Sequence, residues 1–265
     1  MDKAIAKKLK EIQEARQRKN ANANIEKSIS RDLTDNSVTK SNALSRAYYR
    51  FSLNEKRVME AIISRLHPMR SDNKTSGVEL KASDFAKAYG LDLPSAYRAL
   101  TKAADGLMVK VIRTKSDDGT RIINNSLMSE STYVKSQGVI YCDLDSKIIP
   151  HLIQMSKKFN SYSLADAANF KSSYTWRMYE ILISWADEGD SFSGWFPITV
   201  DELRLNLGVP ESYGYGQFKK GVLDVVTAEL INKSNIILSL EPKKTSRKIT
   251  SYSVTFMESD QLTLI

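Results

Sequence analysis

The sequence predicts an α+β fold in which one unit, a helix followed by a helix–turn–helix and then by strands, occurs twice in tandem. Three observations predict it. The stretch Arg57-Val-Met-Glu60-Ala-Ile-Ile63-Ser64 recurs as Arg177-Met-Tyr-Glu180-Ile-Leu-Ile183-Ser184. The same outline then follows each copy. The first has Leu80-Lys-Ala-Ser-Asp84-Phe85 and Tyr89-Gly90-Leu91, and the second has Ile198-Thr-Val-Asp201-Glu202-Leu203 and Leu207-Gly208-Val209. Each copy closes in segments that alternate apolar and polar residues, as half-buried strands do. Helix, helix–turn–helix and hairpin make a winged helix. The chain therefore reads as two tandem winged-helix (helix-turn-helix plus β-hairpin wing) domains.

Length and composition agree. The chain's 265 residues are enough for two domains of ordinary size, and 42% hydrophobic with 26% charged residues is a globular composition. Lys and Arg number 39 against 31 Asp and Glu, a net charge of +8. The pI is about 9.3, a balance that favours a polyanionic partner. The single cysteine, Cys142, excludes an internal disulfide and suits a reducing compartment. Within Val139-Ile-Tyr-Cys142 it reads as a small apolar strand residue. With no apolar leader and no stretch approaching a membrane span, the protein is expected in the cytoplasm.

Residues 1–40 are polar and basic. Ile5, Leu9 and Ile12 recur at helical spacing within Lys3–Lys19, and Asn20-Ala-Asn-Ala-Asn24 breaks the pattern. This segment reads either as an electrostatic arm for phosphates or as a solvated tail. Folded structure is expected from near Asn42. Ser52 and Glu55 have capping-box spacing. Val58, Met59, Ile62, Ile63 and Leu66 form the apolar face of the first helix, which His67-Pro68 ends. Gly90 and Gly208 suit the left-handed position that closes the second helices, and Pro94 and Pro210 suit the turns that follow. The third helices are expected from about Ser95 to Leu107 and from about Gln217 to Lys233. Phe218, Val222, Val225, Val226 and Leu230 would be the apolar side of the latter.

In the second copy Ile236, Leu238 and Leu240, then Tyr252, Val254 and Phe256, predict a hairpin. In the first copy Met108–Arg113, Arg121–Ile123 and Val139–Cys142 are the expected strands, with Asp118-Gly119 as a hairpin turn. A helical stretch is expected over Lys147–Lys158, with the domain boundary near Asn160–Ala168. The organisation is thus an arm or linker over 1–40, a first domain over 41–160 and a second over 161–265.

In a helix-turn-helix the second helix enters the major groove and its first residues reach base edges. In the second domain Gln217, Lys219 and Lys220 are the candidates, while Phe218 should point inward. The wing tip Pro242-Lys243-Lys244-Thr-Ser-Arg247-Lys248 gathers four cations, suited to phosphate or minor-groove contact. A charged turn that keeps a hairpin soluble is the alternative. Beside a basic recognition helix, the DNA reading is favoured. The equivalent helix of the first domain carries Ser95, Tyr97, Arg98, Thr101 and Lys102 and is less basic. It is expected to make a weaker DNA contact or to share in protein contacts. Trp176, Tyr179 and Trp185 read as core, and Tyr48, Tyr49 and Phe51 as a cover for the first core.

Nothing in the sequence indicates an enzyme. There is no Gly-rich phosphate loop ending in Lys-Ser/Thr. One Cys and two His cannot make a zinc site of the usual kind. His67 and His151 are too far apart for the His pair of a nicking enzyme. His67-Pro-Met-Arg70 matches the His-x-x-Arg of tyrosine recombinases only superficially. Asp117-Asp118, Asp187-Glu188 and Asp201-Glu202 sit at expected turns or helix starts. No cofactor and no metal are expected.

Several stretches together resemble the theta-type plasmid replication initiators of the Rep-3 class. They are Ser41-Asn-Ala-Leu44, Phe51-Ser-Leu-Asn-Glu-Lys-Arg57, Ile148-Ile-Pro-His-Leu-Ile-Gln154 through Phe159-Asn-Ser-Tyr-Ser163, and Tyr174-Thr-Trp-Arg177-Met-Tyr-Glu180. The resemblance runs from about Ser41 to Phe256. It implies monomers that bind directly repeated origin sites (iterons) through both domains, and dimers, formed through the first domain, that repress their own promoter. It also implies contacts with the host's chromosomal initiator and replicative helicase. Lys219-Lys220-Gly221 departs from the Arg-rich recognition helices of that class, and Lys is a point charge where Arg forks bidentately to guanine. The competing readings are a winged-helix transcriptional regulator, a DNA-nicking enzyme and a protein-interaction module.

Overall fold

The computed structural model describes residues 32–69, 75–116, 118–153, 158–187 and 192–259. The first domain opens with β1 (Ser37–Ser41) and α1 (Asn42–Ser45). It continues through α2 (Leu53–Ile63), β2 (Val78–Lys81), α3 (Ala82–Tyr89) and α4 (Leu93–Met108). Then come β3 (Val111–Lys115), β4 (Ile122–Ser126), β5 (Met128–Val134) and β6 (Val139–Leu144). β7 (Phe159–Ser163) and α5 (Leu164–Ala168) lead into the second domain. That domain contains α6 (Ser173–Trp185), β8 (Ser193–Thr199), α7 (Val200–Leu207), α8 (Tyr215–Phe218), α9 (Asp224–Ser234), β9 (Ile236–Thr245) and β10 (Lys248–Glu258). A π turn, Lys219–Leu223, joins α8 to α9.

The two domains repeat one topology. The first has the antiparallel sheet order β2-β6-β5 and the second β8-β10-β9, so in each the strand before the helix–turn–helix pairs with the last strand of the wing. Local sequence explains the helices. Ser52 Oγ accepts from the Glu55 amide at 3.3 Å, and Glu55 Oε2 accepts from the Ser52 amide at 2.6 Å, which completes the expected capping box. Gly90 and Gly208 close α3 and α7 at φ of 61° and 69°. The Asp118-Gly119 hairpin forms, with Gly119 at φ 70°.

Several expectations are corrected. Residues 32–40 are not arm or linker. Leu33 is buried in the 3-10 turn Leu33–Asp35, and Val38 and Lys40 are buried in β1, which pairs antiparallel with β7. The expected helix within Lys3–Lys19 lies outside the described residues. The boundary at 160/161 falls inside β7, so the strand pair β1–β7 straps the two domains together. No helix spans Lys147–Lys158. Its described part holds only a short 3-10 turn at Ile149–His151, and β7 begins at Phe159. The β3–β4 hairpin is not the first wing but an insertion with its own two-stranded sheet, and Val139–Cys142 belongs to the β5–β6 wing instead. Val225 is 41% exposed rather than apolar-facing, since the π turn adds a residue ahead of it and rotates the helix face. Trp185 is 40% exposed. It stacks on Phe196 at 5.1 Å, and the Arg46 guanidinium lies 3.8 Å from its ring centroid.

One apolar core runs through both domains and includes Phe85, Phe170, Trp176, Phe218 and Phe256. Cys142 is buried in it, as its strand position predicts. At the domain junction the core encloses charges: Lys40, Lys56, Glu60, Arg177 and Glu180 are all buried. Burial opposes ionisation of Glu180, but Lys40, Lys56 and Arg177 outweigh it and hold its carboxyl well below the usual carboxylate range. Among the described residues, no helix is long and apolar enough to cross a membrane.

Candidate nucleic-acid interface

The second helix–turn–helix is built from its caps outward. Thr199 Oγ1 accepts from the Glu202 amide at 3.1 Å to start α7. After Gly208 the chain turns through Pro210–Tyr213. Arg204 pins that turn by donating to the carbonyls of Pro210 at 3.2 Å and Tyr213 at 2.6 Å, with its guanidinium 5.2 Å from the Phe218 ring centroid. Gly214 caps α8, and its amide donates to Gln217 Oε1 at 3.0 Å. Gln217 is thus exposed and also caps its own helix.

In the π turn the Asp224 amide reaches back to the Lys219 carbonyl. Lys219, Lys220 and Gly221 stay exposed while Phe218, Val222 and Leu223 are buried. Phe218 points inward as expected. Lys219 Nζ lies 3.2 Å from Asp224 Oδ1 across an exposed pair, which is a weak tether in water.

The wing β9–β10 turns at Ser246-Arg247, with Ser246 at φ 57°. Glu241–Lys248 are all exposed. Lys244 pairs across the ribbon with Ile249, and Lys248 with Thr245. Side chains alternate along a strand, so Lys244 lies on one face of the ribbon and Lys243 and Lys248 on the other. Lys243 Nζ stands 2.9 Å from Glu241.

Helix start and wing converge. The Tyr215 and Tyr252 hydroxyls are 2.7 Å apart and join α8 to β10. A groove of about 680 Å³ between them is lined by Arg204, Tyr213, Tyr215, Arg247 and Lys248, with Asp201 at its α7 side. The structure therefore brings Gln217, Lys219 and Lys220 beside a protruding cationic ribbon. Both elements are exposed and free to meet a polyanion.

In the first domain Asp92 caps α4 by accepting from the Ser95 amide at 2.8 Å, and Arg98 donates to Ser95 Oγ at 3.3 Å. Arg98 and Lys102 are exposed one helical turn apart. Tyr97 departs from the expected outward position. It is half-buried and packs edge-on against Tyr133 of β5 at 5.2 Å. Sequence reasoning also missed the true first wing tip, Lys135-Ser136-Gln137, an exposed 3-10 turn closed by Gly138 at φ 62°. The alternation of β5 and β6 around Gly138 was the available signal. Among the described residues, no group of three His, Cys, Asp or Glu converges as metal ligands would.

Comparison with known proteins places this fold. The profile described as Initiator Replication protein, WH1, matches residues 37–183, and that described as Initiator Rep protein, WH2, matches residues 199–256. A curated replication initiation protein of Escherichia coli is 22% identical over 210 residues, which cover 78% of this chain and 65% of that one. The chain thus spans just under two thirds of the length of that relative. The crystal structure of Pi initiator protein in complex with iteron DNA aligns with a TM-score of 0.68 at 20% identity, over 88% of this chain and 100% of that chain. At that identity the likeness is one of fold, and it extends through both domains. With the first profile alone covering more than half of the chain on this doubled winged-helix fold, the chain belongs to the initiator replication protein family.

Proposed function

We propose that this protein initiates plasmid DNA replication by binding repeated origin sites through both winged helices. The observation that carries the reading is the exposed helix start Gln217–Lys220 beside the cationic wing Lys243–Lys248. Gln217 and Lys220 face base edges in the major groove, while Lys219 exchanges Asp224 for a phosphate. Lys243, Lys244, Arg247 and Lys248 hold the backbone from both faces of the ribbon and supply sequence-independent affinity. In the first domain Arg98 and Lys102, with Ser95 at the helix start, make a second and weaker contact. Tyr97 acts there by bracing the helix on the wing.

The family supports a wider role. The protein recruits the host's replicative helicase and chromosomal initiator, and dimers formed through the first domain repress its own promoter. It works in the cytoplasm as a DNA-binding protein, without catalytic chemistry, cofactor or metal of its own. The iteron DNA in the complex of the Pi initiator protein favours this reading over a regulator with the same fold.

The test is a salt-dependent binding titration on the DNA flanking the protein's own gene, beside a scrambled duplex. Tight binding at several repeated sites is expected. Equal affinity for the scrambled DNA would refute the reading.

A further inference from the structure

The repeated motif that first marks the two domains has a use at their junction. Glu60 and Glu180 occupy the same position in the two copies, on α2 and α6, and they meet across the boundary. Lys40 Nζ of β1 donates to both Glu60 oxygens at 2.9 Å and also to Glu180. Lys56 Nζ donates to Glu60 at 2.6 Å and to Glu180 at 2.7 Å. The Tyr162 hydroxyl of β7 reaches Glu180 at 2.8 Å and Glu60 at 3.2 Å, and itself accepts from Trp176 Nε1 at 2.9 Å. Lys40, Lys56, Glu60 and Glu180 have no exposed side-chain surface.

The repeated arginines both face the helix–turn–helix of their own domain, and Arg177 also bonds the cluster. Arg177 Nη1 bonds Glu180 at 2.9 Å and the Tyr49 hydroxyl at 2.7 Å. Its Nη2 donates to the Ala47 carbonyl at 2.7 Å, and its Nε donates to the Asn206 carbonyl in the last turn of α7 at 3.1 Å. Arg57 lies 5.0 Å from the ring centroid of Tyr89, the last residue of α3, and the Tyr89 hydroxyl donates back to the Arg57 carbonyl at 3.0 Å. In the second domain, then, Arg177 bonds the helix before the recognition helix directly to the junction, while in the first domain Arg57 joins the end of α3 to α2, the helix that carries Glu60, without itself bonding the cluster.

We propose that this buried cluster holds the two recognition helices at one separation, making Lys40, Lys56, Glu60 and Glu180 positioning residues that set which spacing between its two contacts the protein accepts on DNA. The inference rests on the reading that both domains contact one DNA molecule. Its physical basis is directionality. Apolar interfaces can slide with little penalty, and buried ion pairs add little net stability over apolar packing. A buried network in which each ammonium bridges both carboxylates has one arrangement that leaves no charge unpaired.

The test compares duplexes carrying no, one or two extra base pairs at the centre of the protein's own repeat. Each insertion separates the two contacts by about 3.4 Å and rotates them by about 35°. The variant Lys40→Met/Lys56→Met/Glu60→Gln/Glu180→Gln removes two charges of each sign and so keeps the net charge. The unmodified protein should lose about tenfold or more in affinity per inserted base pair, as for a disrupted site. The variant should bind the uninserted repeat and lose less than about threefold per insertion. Equal losses in both proteins would overturn the positioning role while leaving DNA binding intact. If the unmodified protein does not distinguish its repeat from scrambled DNA, the DNA reading fails and this proposal with it. If circular dichroism shows the fourfold variant unfolded, Lys56→Met/Glu60→Gln is measured in its place. A pair variant that discriminates spacing as sharply as the unmodified protein overturns the proposal.

Discussion

Removing the cations of the second wing tests the proposed interface most directly. Lys244, Arg247 and Lys248 stand on an exposed ribbon, and among the described residues none has an acidic group within 4.0 Å. Each cation that neutralises a phosphate contributes about 0.9 to the slope of log affinity on log salt. Lys244→Ala/Arg247→Ala/Lys248→Ala should therefore flatten that slope by about 2.7 if all three sit on phosphates. Between roughly 50 and 200 mM salt, the affinity of the unmodified protein should then fall about 40-fold further than that of the variant. Lys243→Ala should flatten the slope by less than one such step, because Glu241 at 2.9 Å already offsets part of its charge. The assay is fluorescence anisotropy on the repeat and on a scrambled duplex at several salt concentrations. Phosphate contacts carry no sequence information, so the ratio of the two affinities should hold. An unchanged slope, or a loss confined to the repeat, would refute the assignment of the wing to the DNA backbone.

Four further outcomes are expected. Gln217→Glu keeps an acceptor for the Gly214 amide but removes the side-chain NH₂, so it should change the ranking of operator variants while the helix content holds. A uniform loss across all variants would remove Gln217 from base recognition. Gly208→Ala should lower stability by at least about 1–2 kcal/mol for the left-handed backbone alone. A Cβ there would also stand 2.5 Å from the Tyr49 carbonyl. Gly221→Ala, whose Cβ meets nothing within 4 Å, should leave stability unchanged or raise it by up to about 1 kcal/mol. Urea midpoints distinguish these, and equal midpoints for the two would contradict the packing described at the junction. Burial, with Asp143 adding to it, pushes the Cys142 thiol up to about 12. At pH 8 a thiol reagent should therefore label the protein only across its unfolding transition, and rapid labelling of the native protein would show that β6 opens locally.

Much of this protein is legible in its sequence where the cause is local. The capping box at Ser52, the glycines that end α3 and α7, the Asp118-Gly119 turn and the β9–β10 wing each follow from a few neighbouring residues. The exposed cations of the second domain follow in the same way, since a turn between alternating strands must face solvent. The internal repeat then gives the doubled architecture, because equal patterns meet equal folding constraints. The strands β2 and β8 escape a local reading because each is held by a partner distant along the chain, whereas β5 pairs with its neighbour β6 and is marked only by the alternation around Gly138. Tyr97 reads as an exposed helix residue until β5 brings Tyr133 against it, and Val225 reads as apolar-facing until the π turn rotates it away.

The largest difference lies at Lys40, Lys56, Glu60, Arg177 and Glu180. Along the chain these are ordinary charged residues, four of them on helices and one in a basic tail. Only when β1 pairs with β7, and α2 meets α6, do they acquire partners that make their burial tolerable. Periodicity decides which residues share a face, but whether a charge on that face can leave water depends on opposite charges that arrive from elsewhere in the fold.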